Sequence, residues 1–302
     1  MRRIILFILS VLITLGCSNG TPKPPSWYGK NEANASLLIG FGSAKTLDAA
    51  KANALSDIIT QINVEVSSQF SSNTQRQDNL MSYNSSNDVW LNSAGIELND
   101  VRYTKDAFEN DRFYIRAEIP KSSLISQFKK QFDSTYNALN MASLNKCSTL
   151  SIKDKVRLEK ALGSLRLYGT LLQTLNTASK PITSLENMLS HNTPLPTARL
   201  IVESNMPNDI ITSDLAKELG YFYSLDGEAT QVLKAKVHVE GANNGIKISL
   251  IFSIFDCRNN PIFNTSLDYT HYAASFDEAL RFASQRVSVQ LYKKIQEWIE
   301  RP

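Results

Sequence analysis

The sequence predicts an α+β protein: two small α/β-sandwich modules, helices on mostly antiparallel sheets, separated by a long antiparallel helical hairpin. Three observations carry this. Phe113, Ile115, Ala117 and Ile119 alternate, as a sheet with one buried side requires. From Leu124 the apolar period changes to that of a helix. Asn244-Gly245 then sits between two apolar runs, a strong two-residue hairpin signal.

The chain begins with Arg2 and Arg3, followed by an almost wholly apolar run from Ile4 to Leu15, and Ser18, Asn19 and Gly20 break the pattern just after Gly16-Cys17. This is the order of a secretory signal. This run of twelve residues falls short of the roughly 20 apolar residues that span a bilayer. Thr14-Leu15-Gly16-Cys17 resembles the lipobox of bacterial lipoproteins, with Thr14 where Leu or Val is usual. The resemblance implies cleavage before Cys17 and lipidation of its thiol. Ser18, in place of the Asp that retains lipoproteins at the inner membrane, implies transfer to the outer membrane. Residues 1–16 are thus expected to be removed, taking Arg2 and Arg3 and leaving a body of net charge +1. That near-neutral body offers no electrostatic case for nucleic acid.

Residues 17–33 form the expected tether, with Pro22, Pro24 and Pro25 among small polar residues and the aromatic pair Trp27-Tyr28 at its end, placed to cover a domain edge. The first module is expected over residues 34–120. Ser36 to Phe41 reads as a buried strand, Gly42-Ser43 as a turn and Thr46 as a helix N-cap. Leu47, Ala50, Ala54, Ile58 and Ile62 form a helical stripe, widened by Leu55 and Ile59, whose alanines allow close approach to a sheet. Gly40-Phe41-Gly42-Ser43-Ala44 before a helix invites a phosphate-binding reading. The third glycine is replaced by Lys45 and no Gly-Lys-Ser follows, so a tight strand-to-helix packing is the better account.

Pro25-Ser26-Trp27, the Gly40–Ala44 stretch and Ala49-Ala50-Lys51-Ala52-Asn53-Ala54 running into Ile62-Asn63-Val64-Glu65-Val66 resemble the lipoprotein-twenty (LPP20) family of Gram-negative outer-membrane lipoproteins. Relatives of that family build rings and disks around flagellar motors. The resemblance covers about residues 24–120 and rests on packing motifs, so it implies a fold and a place in the envelope more than an activity.

Fifteen of the 21 residues from Ser67 to Asn87 are Ser, Asn, Gln or Thr, which predicts an exposed strand, a loop, or a surface that orders against a partner. Ile96 to Tyr103 and Arg112 to Ile119 read as strands about a turn at Glu109-Asn110-Asp111. The helical hairpin is expected over residues 121–178. Its first stripe is Leu124, Phe128, Phe132, Thr135, Leu139 and Ala142, and its second Leu158, Leu162, Leu165 and Leu172, joined at Asn145 to Ser151. Arms of about 23 residues extend roughly 35 Å.

Residues 179–196 read as a linker and 197–302 as the second module. Ala198 to Glu203 is a strand, Ser213 to Leu219 a helix capped by Gly220, and Ala235 to Glu240 and Ile246 to Phe255 a hairpin. A loop at Asn244-Gly245 sets Val239 against Leu250, Val237 against Phe252 and His238 against Ile251. Asp256 to Pro261 reverses the chain into the strand Ile262 to Tyr269. Ser275 and Glu278 form a capping box for a last helix with the stripe Leu280, Ala283, Val287, Leu291, Ile295 and Trp298. This element order resembles the N-terminal domain of the Tol-system propeller protein and the middle domain of the flagellar H-ring protein.

Candidate chemistry is sparse. Cys147 is placed at the hairpin tip and Cys257 in a turn of the last module. A disulfide needs Cα atoms within about 7 Å, so two free thiols are expected unless the hairpin folds back. His191, His238 and His271 lie at no metal-ligand spacing, and Asp106, Glu109 and Asp111 lack a calcium-loop pattern. No catalytic residue, metal or cofactor is predicted. The expected function is that of a non-enzymatic envelope lipoprotein, anchored by lipid on Cys17, with protein partners and self-association as its expected contacts. The alternative is a binding module for a lipid, glycan or peptidoglycan fragment, with Tyr221, Phe222 and Tyr223 as its aromatics.

Overall fold

A computed structural model describes residues 23–30, 34–74, 98–139, 141–144, 146–206, 209–242 and 245–301. Cys17 and residues 1–16 lie outside this set. The chain divides into two compact units, one holding the described residues up to Gln131 together with Tyr168–Ser179, the other Phe132–Leu167 and Lys180 onward.

The first unit is built on an antiparallel sheet of order β1-β3-β2, from β1 (Leu37–Ala44), β2 (Arg102–Glu109) and β3 (Arg112–Pro120). Helix α1 (Leu47–Thr74) packs on it. Ala50, Ala54, Ile58 and Ile62 are buried, as are Ile115, Ala117 and Ile119 across from them, while Leu47, at the helix start, stays exposed. Gly42 and Ser43, expected as a turn, continue β1, because the helix lies so close that only glycine fits the strand beneath it. A Cβ on Gly40 would sit 2.2 Å from the Ala54 carbonyl oxygen, and one on Gly42 2.1 Å from that of Ala50. The chain turns instead at Lys45-Thr46, and the Thr46 hydroxyl accepts from the Ala49 N–H at 3.3 Å as the N-cap.

Helix α1 also closes the outer edge of β1. Asn53, Asp57 and Gln61 recur every four residues on one helical face. The Asp57 carboxylate accepts from the Phe41 N–H at 2.9 Å, Gln61 donates to the Ile39 carbonyl at 2.8 Å, and Asn53 donates to that of Ser43 at 2.9 Å. Tyr28 packs edge-on against Phe41 and Tyr114 of the sheet, at 5.7 and 5.0 Å, and Trp27 packs edge-on against Tyr28 at 6.1 Å.

The backbone of α1 runs to Thr74, so the first part of the polar stretch is helix; residues 75–97 lie outside the described set. Strand β2 sits about six residues later than expected. Asn110 and Asp111, with φ of 52° and 57°, form the two-residue turn between Glu109 and Arg112 that fixes its register.

Helices α2 (Lys121–Ala138) and α4 (Ile152–Thr174) form the antiparallel hairpin, with the short α3 (Met141–Leu144) between them. Leu124, Phe128 and Phe132 are buried on α2, and Leu158, Leu162, Leu165 and Leu172 on α4. The α2 arm ends at Ala138, short of the predicted stripe's end. Ser151 caps α4, its hydroxyl accepting from the Asp154 N–H at 3.1 Å.

The expected linker contains helix α5 (Thr183–His191), with Leu185 buried. The sheet of the second unit has the order β5-β4-β6-β7-β8, from β4 (Thr197–Ser204), β5 (Ser224–Leu225), β6 (Val232–Ala242), β7 (Gly245–Phe255) and β8 (Pro261–Tyr272). β4 runs parallel to β5 and β6, and the other pairings are antiparallel. Helices α6 (Asp209–Leu219) and α7 (Phe276–Glu300) supply apolar stripes to the core of this unit. The Ser275 hydroxyl accepts from the Glu278 N–H at 3.2 Å, as the capping box predicts. Leu280, Ala283, Val287, Leu291 and Ile295 are buried; Trp298 is half-buried against Phe263.

Three expectations here are corrected. The β6–β7 ladder ends at Ala242↔Gly245, so Gly245, expected in the loop, belongs to the strand, and Asn244 lies outside the described residues. Val237 therefore faces Leu250, Val239 faces Ile248 and His238 faces Ser249. A shift of two leaves every apolar residue on its intended face, which is why alternation alone could not detect it. Gly220 follows α6 without a positive φ; the Leu219 carbonyl accepts from both Phe222 and Tyr223 in a tighter turn.

Finally, Cys147 and Cys257 are joined in a disulfide, with Cα atoms 5.9 Å apart. The connector before α4 returns to the second unit rather than projecting from it. Buried Asn192 accepts from the Leu150 N–H at 2.8 Å and donates to the carbonyls of Ser148 and Met188. The buried Tyr223 hydroxyl accepts from the Ile152 N–H at 3.3 Å, and burial raises its pKa well above the usual phenol value. Asp256, beside Cys257, accepts from the N–H groups of Arg258 and Asn260 and from the Asn260 side chain. Burial pushes its carboxyl up, but these bonds and the Arg258 charge outweigh it and hold the pKa below the usual range.

Candidate functional site

Lipidation of Cys17 needs an accessible thiol on an extended segment, and that residue precedes the described part of the chain. Inside the fold, the alternation of β6, β7 and β8 separates two sheet faces. One holds Leu233, Ala235, Ile248, Leu250 and Phe252 in the core. The other carries Lys234, Lys236, His238 and Glu240 on β6, Lys247, Ser249 and Ile251 on β7, and Asp268 on β8, joined by Glu203 of β4.

Most charges on this open face are matched across strands. Glu203 pairs with Lys234 at 2.6 Å and reaches Lys236 at 4.0 Å. The Lys234 hydrogen bond holds the Glu203 carboxyl below its ordinary value. Lys247 lies 3.7 Å from Asp268, which also accepts from the Ser249 hydroxyl at 2.5 Å. Ile251 is flanked by Lys236 and Ser266 and is half exposed, at 51%. Paired charges around an apolar residue make a surface that can lose water without stranding a lone ion, the chemistry of a protein contact.

One cross-strand row holds His238, Ser249 and Asp268, three residue types that hydrolases use together. Their wiring differs from a catalytic relay. The Ser249 hydroxyl donates directly to Asp268, while His238 Nε2 turns to Glu240 at 3.0 Å, so the imidazole does not stand between hydroxyl and carboxylate.

The other singled-out residues are dispersed. His191 closes α5 with Nδ1 2.6 Å from the Asn187 carbonyl. His271 pairs with Ile246 on the helix-covered face, against Phe282, so it lies on the opposite side of the sheet from His238. Asp106, Glu109 and Asp111 flank the β2–β3 turn, and among the described residues no group of three or more His, Cys, Asp or Glu is placed to hold a metal ion. Phe222 and Tyr223 are buried and only Tyr221 is exposed, which leaves one aromatic where a ligand platform was envisaged. Among the described residues no helix is long and apolar enough to cross a membrane. Asn192, the buried organiser of the connector, escaped the sequence reading because a lone Asn beside Pro194 looks like loop punctuation.

Among solved structures, a secreted protein from the human pathogen Helicobacter pylori shares the fold at 16% identity and a TM-score of 0.50, over 86% of this chain and 97% of that one. A minor lipoprotein from Acinetobacter baumannii aligns at 16% identity over 32% of this chain and 91% of that one, with a TM-score of 0.24. An uncharacterized lipoprotein B from Nitrosomonas europaea aligns at 10% identity over 33% and 83%, also with a TM-score of 0.24. No curated protein matches the chain. Residues 25–120, which hold the close-packed β1–α1 pair and the β2–β3 hairpin, match the family model described as LPP20 lipoprotein.

Proposed function

We propose that this chain is a lipid-anchored protein of the bacterial cell envelope that acts by binding other proteins rather than by catalysis. The observation that carries the reading is one of order along the chain. An LPP20 match begins at residue 25, a short proline-bearing tether after the lipobox-like Thr14-Leu15-Gly16-Cys17. Two acyl chains on Cys17 hold a protein at a membrane persistently, since each buried CH₂ contributes about 0.8 kcal/mol. Ser18 supports the outer membrane as the destination. The charge-matched open sheet face supports protein contact, and an association with the flagellar outer structure is the finer form of the proposal, resting on the family resemblance.

Expression with labelled palmitate tests it. The wild-type chain is expected to take up label, to lack residues 1–16 and to sediment with outer membranes, whereas Cys17→Ser leaves the label out and releases the body from them. A wild-type chain with a bare thiol at position 17, or with residues 1–16 attached, defeats the anchor. Loss of swimming on deletion, with envelope integrity kept, is the outcome expected of the flagellar form.

A further inference from the structure

A sheet edge offers unpaired backbone donors and acceptors to any other strand, and proteins ordinarily close such edges. Among the described residues, the other edges each carry a feature that discourages a further strand. β1 is capped by Asn53, Asp57 and Gln61. β2 carries Arg102, Lys105, Asp106 and Glu109 and has a bulge between Tyr103 and Lys105. β5 is two residues long. Beyond its two pairs with β5, β4 carries the charged Arg199 and Glu203.

β8 has none of these. It is twelve residues long, pairs only with β7, has proline only at its first position and carries one full charge, Asp268, already matched by Lys247 and Ser249. Among the described residues no backbone partner lies on its outer side. The ground beside it is apolar: Phe282 packs on His271 yet remains 48% exposed.

We propose that β8 is a self-association edge, at which two copies of this chain join their β8 strands antiparallel about a two-fold axis through Ser266. An axis perpendicular to the sheet keeps the helix-covered faces of both copies on one side, so paired residues must share parity. Centring on Ser266 sets Asn264, an amide donor, opposite Asp268. On the helix side it sets Phe263 opposite Tyr269 and Thr265 opposite Leu267. Centring on Asp268 opposes two carboxylates, on Thr265 sets Asp268 against Ile262, and on Leu267 sets Tyr269 against Thr265, away from Phe263. Opposite polarity and ring-to-ring pairs across strands are the stabilising combinations. In the same register the exposed Phe282 end of one copy runs alongside the Phe263–Trp298 end of the other. The contact is isologous, so it closes at two copies.

The test uses the mature full chain carrying Cys17→Ser, with the Cys147–Cys257 bond intact. Sedimentation equilibrium is expected to show a dimer, and Ser266→Lys, which opposes two like charges at the axis, to give a monomer with unchanged circular dichroism. Opposed antiparallel residues have Cα atoms about 4.5–5.5 Å apart, within disulfide range. Ser266→Cys is therefore expected to cross-link on mild oxidation and Asn264→Cys, which faces Asp268, not to. A monomer at every concentration, a Ser266→Lys variant that remains dimeric, or equal cross-linking at 264 and 266 overturns the inference.

Discussion

Gly42 shows how little tolerance a single position has when two backbones meet. The groups its Cβ would meet are the Ala50 carbonyl at 2.1 Å and the Ala54 N at 2.3 Å, neither of which can rotate away. Gly42→Ala is expected to destabilise the first unit by about 3 kcal/mol, read as a lower urea midpoint, since overpacking displaces whole elements. The same glycines suggested phosphate binding on paper. Their spacing was legible; that the space above them is filled by a helix depended on the alanines of α1 facing the strand. Asn192 is the converse case: three hydrogen bonds converge on a residue whose sequence neighbours advertise a turn.

At the scale of elements, helix and strand identity followed the apolar period, while positions shifted where a turn set the register. The β2–β3 turn fell at Asn110-Asp111 as read, but β2 continued up to it, because its alternation is masked by charged residues on an exposed edge. The four-residue recurrence of Asn53, Asp57 and Gln61 is visible in the sequence, but that it seals an edge depends on the strand it meets. Asp57→Ala and Gln61→Ala each leave a β1 backbone group without its partner. Each is expected to cost about 1–2 kcal/mol and to accelerate amide exchange at Phe41 in the Asp57 variant. Asp57→Asn keeps an oxygen acceptor and is expected to retain most of the protection.

Across the whole molecule, the decisive constraint is the Cys147–Cys257 bond, which closes a loop of 110 residues within the second unit. Such a loop restricts the unfolded chain strongly, and the chain-entropy estimate is about 4–5 kcal/mol. Cys147→Ser with Cys257→Ser, or reduction of the wild type, is expected to lower the melting temperature of the second unit, with the two treatments agreeing. A melting temperature indifferent to reductant would show that Asn192 and Tyr223 hold the connector unaided. An extended hairpin would place Cys147 far from any turn of the last module. What brings the thiols together is an early end to α2 and a connector drawn in by hydrogen bonds, neither of which leaves a periodic signal.

By itself, the sequence determined the classes of element, the faces they bury, the caps at Thr46 and Ser275 and the lipoprotein-like N-terminus. These follow from local geometry, in which side chains repeat every two or every 3.6 residues. The tertiary structure alone decided the disulfide, the β6–β7 register, the sealing of β1 and the open edge at β8. Each depends on which groups distant in the chain meet in space, and a buried or outward-facing backbone group acquires meaning only from the partner that reaches it.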